Sequence, residues 1–349
     1  MTTETSHKIS KGTVDKMGNV LRNEPQNEEA LDVLDAWRTM HAEPLQKAVA
    51  VIAEHCKGST VKVSSRLKRA VSIIEKLKRQ PEMKLSRMQD IAGVRVVSSA
   101  DSLSMGWLSA LSVIRDYDYN NKPKTSGYSA YHIILNLKED CYKDFQIELQ
   151  IRTYWQHIWA MAVETVGMFY GEALKASQGS EDWLDFFKLA SAALSHIEYR
   201  SIIEEYSNKD IEYVRNELRD WGVNKTFFSK LSAIKEVGAL SVAARKSDGG
   251  EWTPEKIYDY CLLELNIKKS ENKIHGFMSH QLETAMAMYA AKEQTPACLR
   301  GDVQVVLVST QRFQDLRQAY PSYFLDVGEF VQVLKEFCGE RGKELEVRS

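Results

Sequence analysis

The first long pattern along the chain is helical. Between 29 and 56, apolar residues recur every three or four positions, at Leu31, Leu34 and Trp37 and again at Leu45, Val49 and Ile52. Pro44 marks a break or the start of a second helix. Residues 64–78 repeat the pattern through Leu67, Val71, Ile74 and Leu77, and Pro81 follows. The period then drops to two. Segments 92–98 (AGVRVVS), 128–137 (YSAYHIILNL) and 145–153 (FQIELQIRT) predict strands, and a helix rich in Trp and Ala is predicted over 155–168. Residues 171–182 (GEALKASQGSED) read as a loop or linker. Beyond it helices are predicted over 182–206, 209–221, 225–245, 254–269 and 277–294, then one strand over 302–309 and a last helix over 326–337. Residues 1–28 are polar and without period, which predicts a flexible arm. The expected class is α+β: a mixed sheet flanked by helices over 29–175, followed by a mostly α-helical domain over 180–349.

Composition changes this picture little. The 349 residues are 44% hydrophobic and 27% charged, ordinary for a globular chain. The absence of a run of about 18 apolar residues argues against a membrane span, and the N-terminus lacks the apolar core of a secretory signal. Cys56, Cys141, Cys261, Cys298 and Cys338 are scattered and form no CxxC pair. They fit reduced thiols in a cytoplasm and argue against a structural zinc site. Charge changes the picture more. Between 57 and 95 stand eleven Lys or Arg against three acids, a local excess of +8 in a chain whose net charge is −2. A basic segment in an otherwise acidic protein points to a local polyanion site or to a solvated helix face.

The strand at 145–153 carries the chemistry. Period two puts Ile147, Leu149 and Ile151 on one face and Gln146, Glu148, Gln150 and Arg152 on the other. Such a face suits the floor of a polar pocket, or the exposed side of an antiparallel sheet. Asp90 lies just before the strand 92–98. If the two strands are neighbours, Asp90 and Glu148 could converge on one Mg²⁺, a hard cation that takes carboxylate oxygens together with substrate phosphates. On the predicted basic helix, Ser72, Lys76 and Arg79 share one face, near Lys68 and Arg66, and could hold a triphosphate. The turn KPKTSGYSAYH adds Lys122, Lys124, Tyr128 and His132, with Tyr131 on the opposite face.

Four strings in order, SRLKRAVSIIEKLKRQ, RMQDIAGVRVV, IRDYDYNNKPKTSGYSAYH and IELQIRTYWQHIWAMAVE, resemble the synthetase domain of the RelA/SpoT family. The resemblance implies a nucleotidyltransferase-like fold. It also implies transfer of the β,γ-pyrophosphate of ATP to the 3′-hydroxyl of GDP or GTP, yielding (p)ppGpp and AMP. By that resemblance Asp90 would bind Mg²⁺, and Glu148 would bind Mg²⁺ or act as base. Arg66, Lys68, Ser72, Lys76 and Arg79 would hold ATP, with Arg95 as a second cover for the adenine. Tyr128 would stack the acceptor base, Arg115, Lys122, Lys124 and His132 would surround its phosphates, and Gln150 and Arg152 would line the floor. The chain departs from the family pattern at Ser129 and Ala130, where a basic or amide residue and then Ser are common. It has no HD dipeptide, so the family's hydrolase domain is not expected. Three functions stay open: an alarmone synthetase using a guanosine or adenosine acceptor, a toxin-type enzyme acting on the 3′ end of tRNA, and a non-catalytic sensing module. Residues 180–349 would serve self-inhibition, oligomerisation, or contact with a protein regulator or antitoxin.

Overall fold

The computed structural model describes residues 9–56, 61–98, 111–243, 258–269, 271–309, 316 and 319–339. Three helices lead in: α1 (Lys11–Asn23), α2 (Glu28–Met40) and α3 (Ala42–His55). Pro44 sits in the first turn of α3, where its missing N–H costs nothing. The arm expected over 1–28 is corrected for its described part. Ser10 caps α1 by accepting from the Thr13 amide, and Val14, Met17 and Leu21, spaced three and four apart, are buried. Each such side chain contributes about 1.5–3 kcal/mol on burial, enough to hold a helix whose other faces are polar. Residues 1–8 lie outside the described residues.

The next stretch corrects the predicted helix over 64–78. Residues Lys62–Leu67 form strand β1, and the helix, α4, covers only Ala70–Arg79. Strands β2 (Ala92–Ser98), β4 (Tyr131–Asn136) and β5 (Ile147–Thr153) fall where period two predicts them, and β3 (Ser112–Asp118) is an additional edge strand. Helix α5 (Tyr154–Tyr170) starts at a capping box between Thr153 and Gln156 and ends at Gly171, in the left-handed region at φ 70°.

In the C-terminal half, helices α6 (Glu181–Ile197), α7 (Ile211–Arg219), α8 (Phe227–Ala243), α9 (Leu282–Glu293), α10 (Pro296–Leu299) and α11 (Gly328–Phe337) predominate, as expected. The helix predicted over 254–269 is a correction: Tyr260–Asn266 is strand β6, paired with β7 (Glu271–Phe277), while 254–257 lie outside the described residues. Its run YCLLELN is apolar on both faces because the strand is covered on both, and so it carries no alternation. Strand β8 (Val303–Ser309) matches its predicted position.

All eight strands form one mixed sheet in the order β3-β4-β5-β2-β1-β8-β6-β7, with β2 and β5 parallel and the other neighbours antiparallel. The fold is therefore mixed α+β, a sheet flanked by helices on both faces. One face packs against α1–α4 and α9 through Leu67, Val94, Val96, Ile133, Leu149, Leu262 and Leu307. The other packs against α5–α8 and α11 through Leu263, Leu265, Val306 and Val308.

Candidate active site

Adjacent strands supply the floor. On β5, Glu148, Gln150 and Arg152 alternate with buried Ile147 and Leu149. Parallel β2 sets Gly93 opposite Glu148 and Arg95 opposite Gln150. Arg66 of β1 lies opposite Gly93, and His132 of β4 opposite Gln150. Because β2 and β5 run the same way, the residues at their starts share one edge of the sheet. Asp90, two residues before β2, and Glu148, second in β5, therefore come to the same end, close enough that the charge of Asp90 acts on the Glu148 carboxyl.

Asp90 is held from two sides. Lys68 Nζ donates to Oδ2 at 2.9 Å and Lys76 Nζ to Oδ1 at 2.8 Å. Burial alone would raise the Asp90 carboxyl, but the two ammonium groups overcome it and hold it well below the usual carboxylate range. Glu148 belongs to a closed ring of side chains. His132 Nδ1 lies 2.9 Å from its Oε1, and Gln150 Nε2 donates to its Oε2 at 2.6 Å. His132 Nε2 lies 2.5 Å from Tyr128 Oη, Arg152 Nη2 donates to Tyr128 Oη at 3.0 Å, and the same nitrogen donates to Gln150 Oε1 at 2.9 Å. An ionised carboxylate only accepts, so Nδ1 of His132 carries a proton, and in the neutral ring Nε2 takes the Tyr128 hydroxyl hydrogen. Burial pushes the Glu148 carboxyl up and Asp90 adds to that, yet the His132 bond prevails and its pKa falls to about 2.

The residues that the sequence groups do not all meet. Arg66, Lys68, Lys76, Asp90, Lys124, Tyr128, His132, Glu148, Gln150 and Arg152 converge. Lys124 stands 4.4 Å from the Tyr119 ring centroid and 5.3 Å from that of Tyr128, within electrostatic reach of Glu148 and Lys76. Ser72 lies one turn before Lys76 on α4 and is half-buried. Arg79 and Lys122 are exposed at the periphery, and Arg115 is exposed on edge strand β3, where it donates to Tyr117 Oη at 3.2 Å. Arg66 stands on a strand and Lys68 in the turn after it, so the expectation of one basic helix is corrected: only Ser72, Lys76 and Arg79 are on α4. Arg95 is 6% exposed, donates from Nη1 to the Ala319 carbonyl at 2.9 Å and faces the Tyr320 ring at 5.7 Å. Its open side is taken by the chain's own tyrosine.

Three side chains escaped the sequence reading. Tyr119 packs edge-on against Tyr128 and His132 at 6.2 and 5.4 Å, and Tyr117 stacks on Tyr119 at 6.1 Å. The alternation of Arg115, Tyr117 and Tyr119 could have revealed them, had 112–118 been read as a strand. Glu164 of α5 is the counter-charge beneath the arginines, 3.9 Å from Arg66 and 3.1 Å from Lys175. Its carboxyl is pulled far down against burial by Lys175 and Arg66. The unusual Ser129 also finds a role: Gln156 Nε2 donates to its Oγ at 2.9 Å and to Asn120 Oδ1 at 2.8 Å, tying the turn to α5. Gly127, at φ +92°, leaves no room for a Cβ, which would meet Ser191 Cβ at 2.8 Å.

A cavity of about 490 Å³ opens beyond Tyr128, between this turn, α5 and α6, lined in part by Ser126, Tyr128, Trp159, Lys175, Asp185 and Phe187. Among the described residues no cluster of three or more His, Cys, Asp or Glu forms a ready metal site. Two neighbouring carboxylates are nonetheless the oxygen donors a hard divalent ion takes when phosphates and water complete its shell.

Residues 65–172 match the model of the region found in RelA / SpoT proteins. This stretch is a RelA/SpoT region. The chain is 31% identical over 131 residues to the uncharacterised protein Rv1366 of Mycobacterium tuberculosis, a match covering 35% of this chain and 45% of that one. It thus spans less than half the length of that relative. It is 31% identical over 119 residues to the GTP pyrophosphokinase YjbM of Bacillus subtilis, covering 31% of this chain and 56% of that one. Among solved structures it is similar to small alarmone synthetase 1 of Bacillus subtilis bound to its product pppGpp, at 24% identity and a TM-score of 0.37, over 47% of this chain and 93% of that one. No helix among the described residues is long and apolar enough to cross a membrane.

Proposed function

We propose that the RelA/SpoT region transfers pyrophosphate from ATP to the 3′-hydroxyl of a guanosine nucleotide, giving a (p)ppGpp-type product and AMP. The observation that carries this reading is the meeting of Asp90 and Glu148 at one sheet edge, with Lys68 and Lys76 already on Asp90. The named activity of the similar GTP pyrophosphokinase supports the same chemistry. Transfer to phosphorus asks a protein mainly for positioning and charge neutralisation, and this site is built of both. In the reading, Lys68, Lys76 and Ser72 hold the donor phosphates and Arg66 the donor base. Buried Arg95 supports the floor and does not cover that base.

Asp90 and Glu148 would hold Mg²⁺. Bound there, the ion would neutralise phosphate charge and ease loss of the acceptor's hydroxyl proton. Glu148 itself is ionised at neutral pH and, with a pKa of about 2, is a weak base. Its task is therefore to orient the hydroxyl and carry negative charge, with His132 fixed behind it by the ring and the hydroxyl proton passing to solvent water. Lys124 and the Tyr119–Tyr128 pair flank the acceptor, and the cavity beyond Tyr128 has the size of small-molecule sites. Arg152 Nε and Nη1 and Arg95 Nε are buried without a hydrogen-bond partner among the described residues, so the floor carries positive charge whose field a polyanion above it would meet. Five free cysteines agree with action in a cytoplasm.

The test is transfer of label from γ-labelled ATP with Mg²⁺, offering GDP, GTP, ATP and total tRNA in separate reactions. Label on GDP or GTP is the expected result. Label confined to tRNA would move the acceptor to RNA, and no label on any acceptor from a folded protein would end the reading.

A further inference from the structure

Helix α4 carries Ser72 and Lys76, yet it lacks a cap of its own. The residue before it, Arg69, offers no side-chain acceptor, and its first turn contains no acid. Its first amide is nevertheless satisfied. Ala70 N donates at 2.9 Å to Oε1 of Glu293, a residue 223 positions away at the end of α9. The other carboxylate oxygen, Oε2, accepts from Arg38 Nη1 of α2 at 2.6 Å. Arg38 is fully buried, also donates to Asp35 at 2.8 Å, and lies 4.5 Å from the ring of Tyr289, one turn before Glu293 on α9. A second contact fixes the same helix start: Arg69 donates to Gln304 of β8. A carboxylate at a helix start meets unsatisfied amides and the positive end of the helix dipole, the same demands a local cap meets.

We propose that Glu293 is a positioning residue for the donor site: as a cap supplied from the C-terminal half, it sets where α4 begins and therefore where Ser72 and Lys76 stand relative to Asp90. The inference rests on the reading of α4 and Asp90 as the donor-phosphate site. Burying a carboxylate and a guanidinium together seldom adds net stability over apolar packing, so the pair is better explained by the geometry it imposes. On this inference residues 282–304 are part of the synthetase framework.

Two double variants of the full chain separate the cap from the ion pair. Arg38→Met with Glu293→Gln removes both buried charges and keeps an acceptor for Ala70 N. Arg38→Met with Glu293→Met removes the acceptor as well at similar volume. The first should bind MgATP within about twofold of wild type, whereas the second should raise the Kd and KM for ATP about tenfold, a typical cost of losing a cap, with the acceptor KM unchanged. Hydrogen exchange over 69–79 should quicken only in the second. Equal MgATP affinity and equal exchange in the two variants would overturn the inference. So would parallel rises in both KM values that track a lower Tm, the signature of a merely structural contact. A wild-type protein that binds no MgATP at all would instead overturn the donor-site reading, and this inference with it.

Discussion

One row of residues crosses nearly the whole sheet: Ile134, Glu148, Gly93, Arg66, Val308, Cys261 and Gly276, each opposite the next. On the face that meets α5, the row is charged at Glu148 and Arg66 and apolar from Val308 on. The same-face rows on either side of it show the same contrast: on one, His132, Gln150, Arg95 and Ser64 are polar or charged, while on the other Val306 and Leu263 are buried hydrocarbon. A single strand gap, β1 to β8, separates a face made for ions from a face made for packing. The polar half is costly. It buries guanidinium nitrogens without partners among the described residues and holds two like-charged acids near each other. The apolar half, with the packed layer on the opposite face, supplies the stability that offsets it. Function and stability are thus divided along one sheet.

The contrast can be broken at either end. The largest effect is expected at Glu148→Gln, a nearly isosteric change that removes the charge. It should lower kcat by about 10³-fold or more, with Tm at neutral pH lower by no more than the loss of the Glu148 charge costs, and a fully active variant would remove Glu148 from the site. Leu263→Ala, on the apolar half, should reverse the pattern. It should cost about 3 kcal/mol in urea unfolding and leave kcat/KM near wild type at temperatures where the protein is folded.

Acid titration sharpens the same division. The Glu148 carboxyl falls from an ordinary 4.5 to about 2 in the folded protein. A depressed carboxylate contributes stability that is fully present above pH 4.5 and is lost as pH falls towards 2. The full contribution is about 3 kcal/mol. Unfolding measured from pH 5 downward should therefore be less acid-sensitive in Glu148→Gln than in wild type, whereas Leu263→Ala should keep the wild-type slope at lower stability throughout. The smallest of the four effects is expected at Gly93→Val, which carries apolar character into the polar row. An added Cβ would meet nothing nearer than the Glu148 carbonyl at 3.8 Å, so the strand can accept it. The side chain would stand between Arg66 and Glu148, and kcat/KM should fall about 10²-fold with Tm almost unchanged.

The polar half was the more legible in sequence. Strand β5 alternates strictly, β2 is β-branched, and the residues of the floor lie within one or two short strings. Strand β1 was hidden because Leu67, Val71, Ile74 and Leu77 happen to continue a helical spacing across a strand, a turn and a helix. Strand β6 was hidden because burial on both sides erases alternation. The contacts that alter the expected site were illegible for another reason. Arg95 meets Ala319 across 224 positions and Ala70 meets Glu293 across 223, and no local period encodes such pairs.

The seam between β1 and β8 also bears on how the chain is made. Ser65 and Arg66 pair with Ser309 and Val308, which leave the ribosome about 240 residues later, a delay of roughly 12–50 s at ordinary synthesis rates. Until then the nascent protein carries β1 as a bare sheet margin, open to mispairing with other chains. Newly made molecules should therefore depend on chaperones during that interval, and messages truncated before codon 303 should yield aggregates.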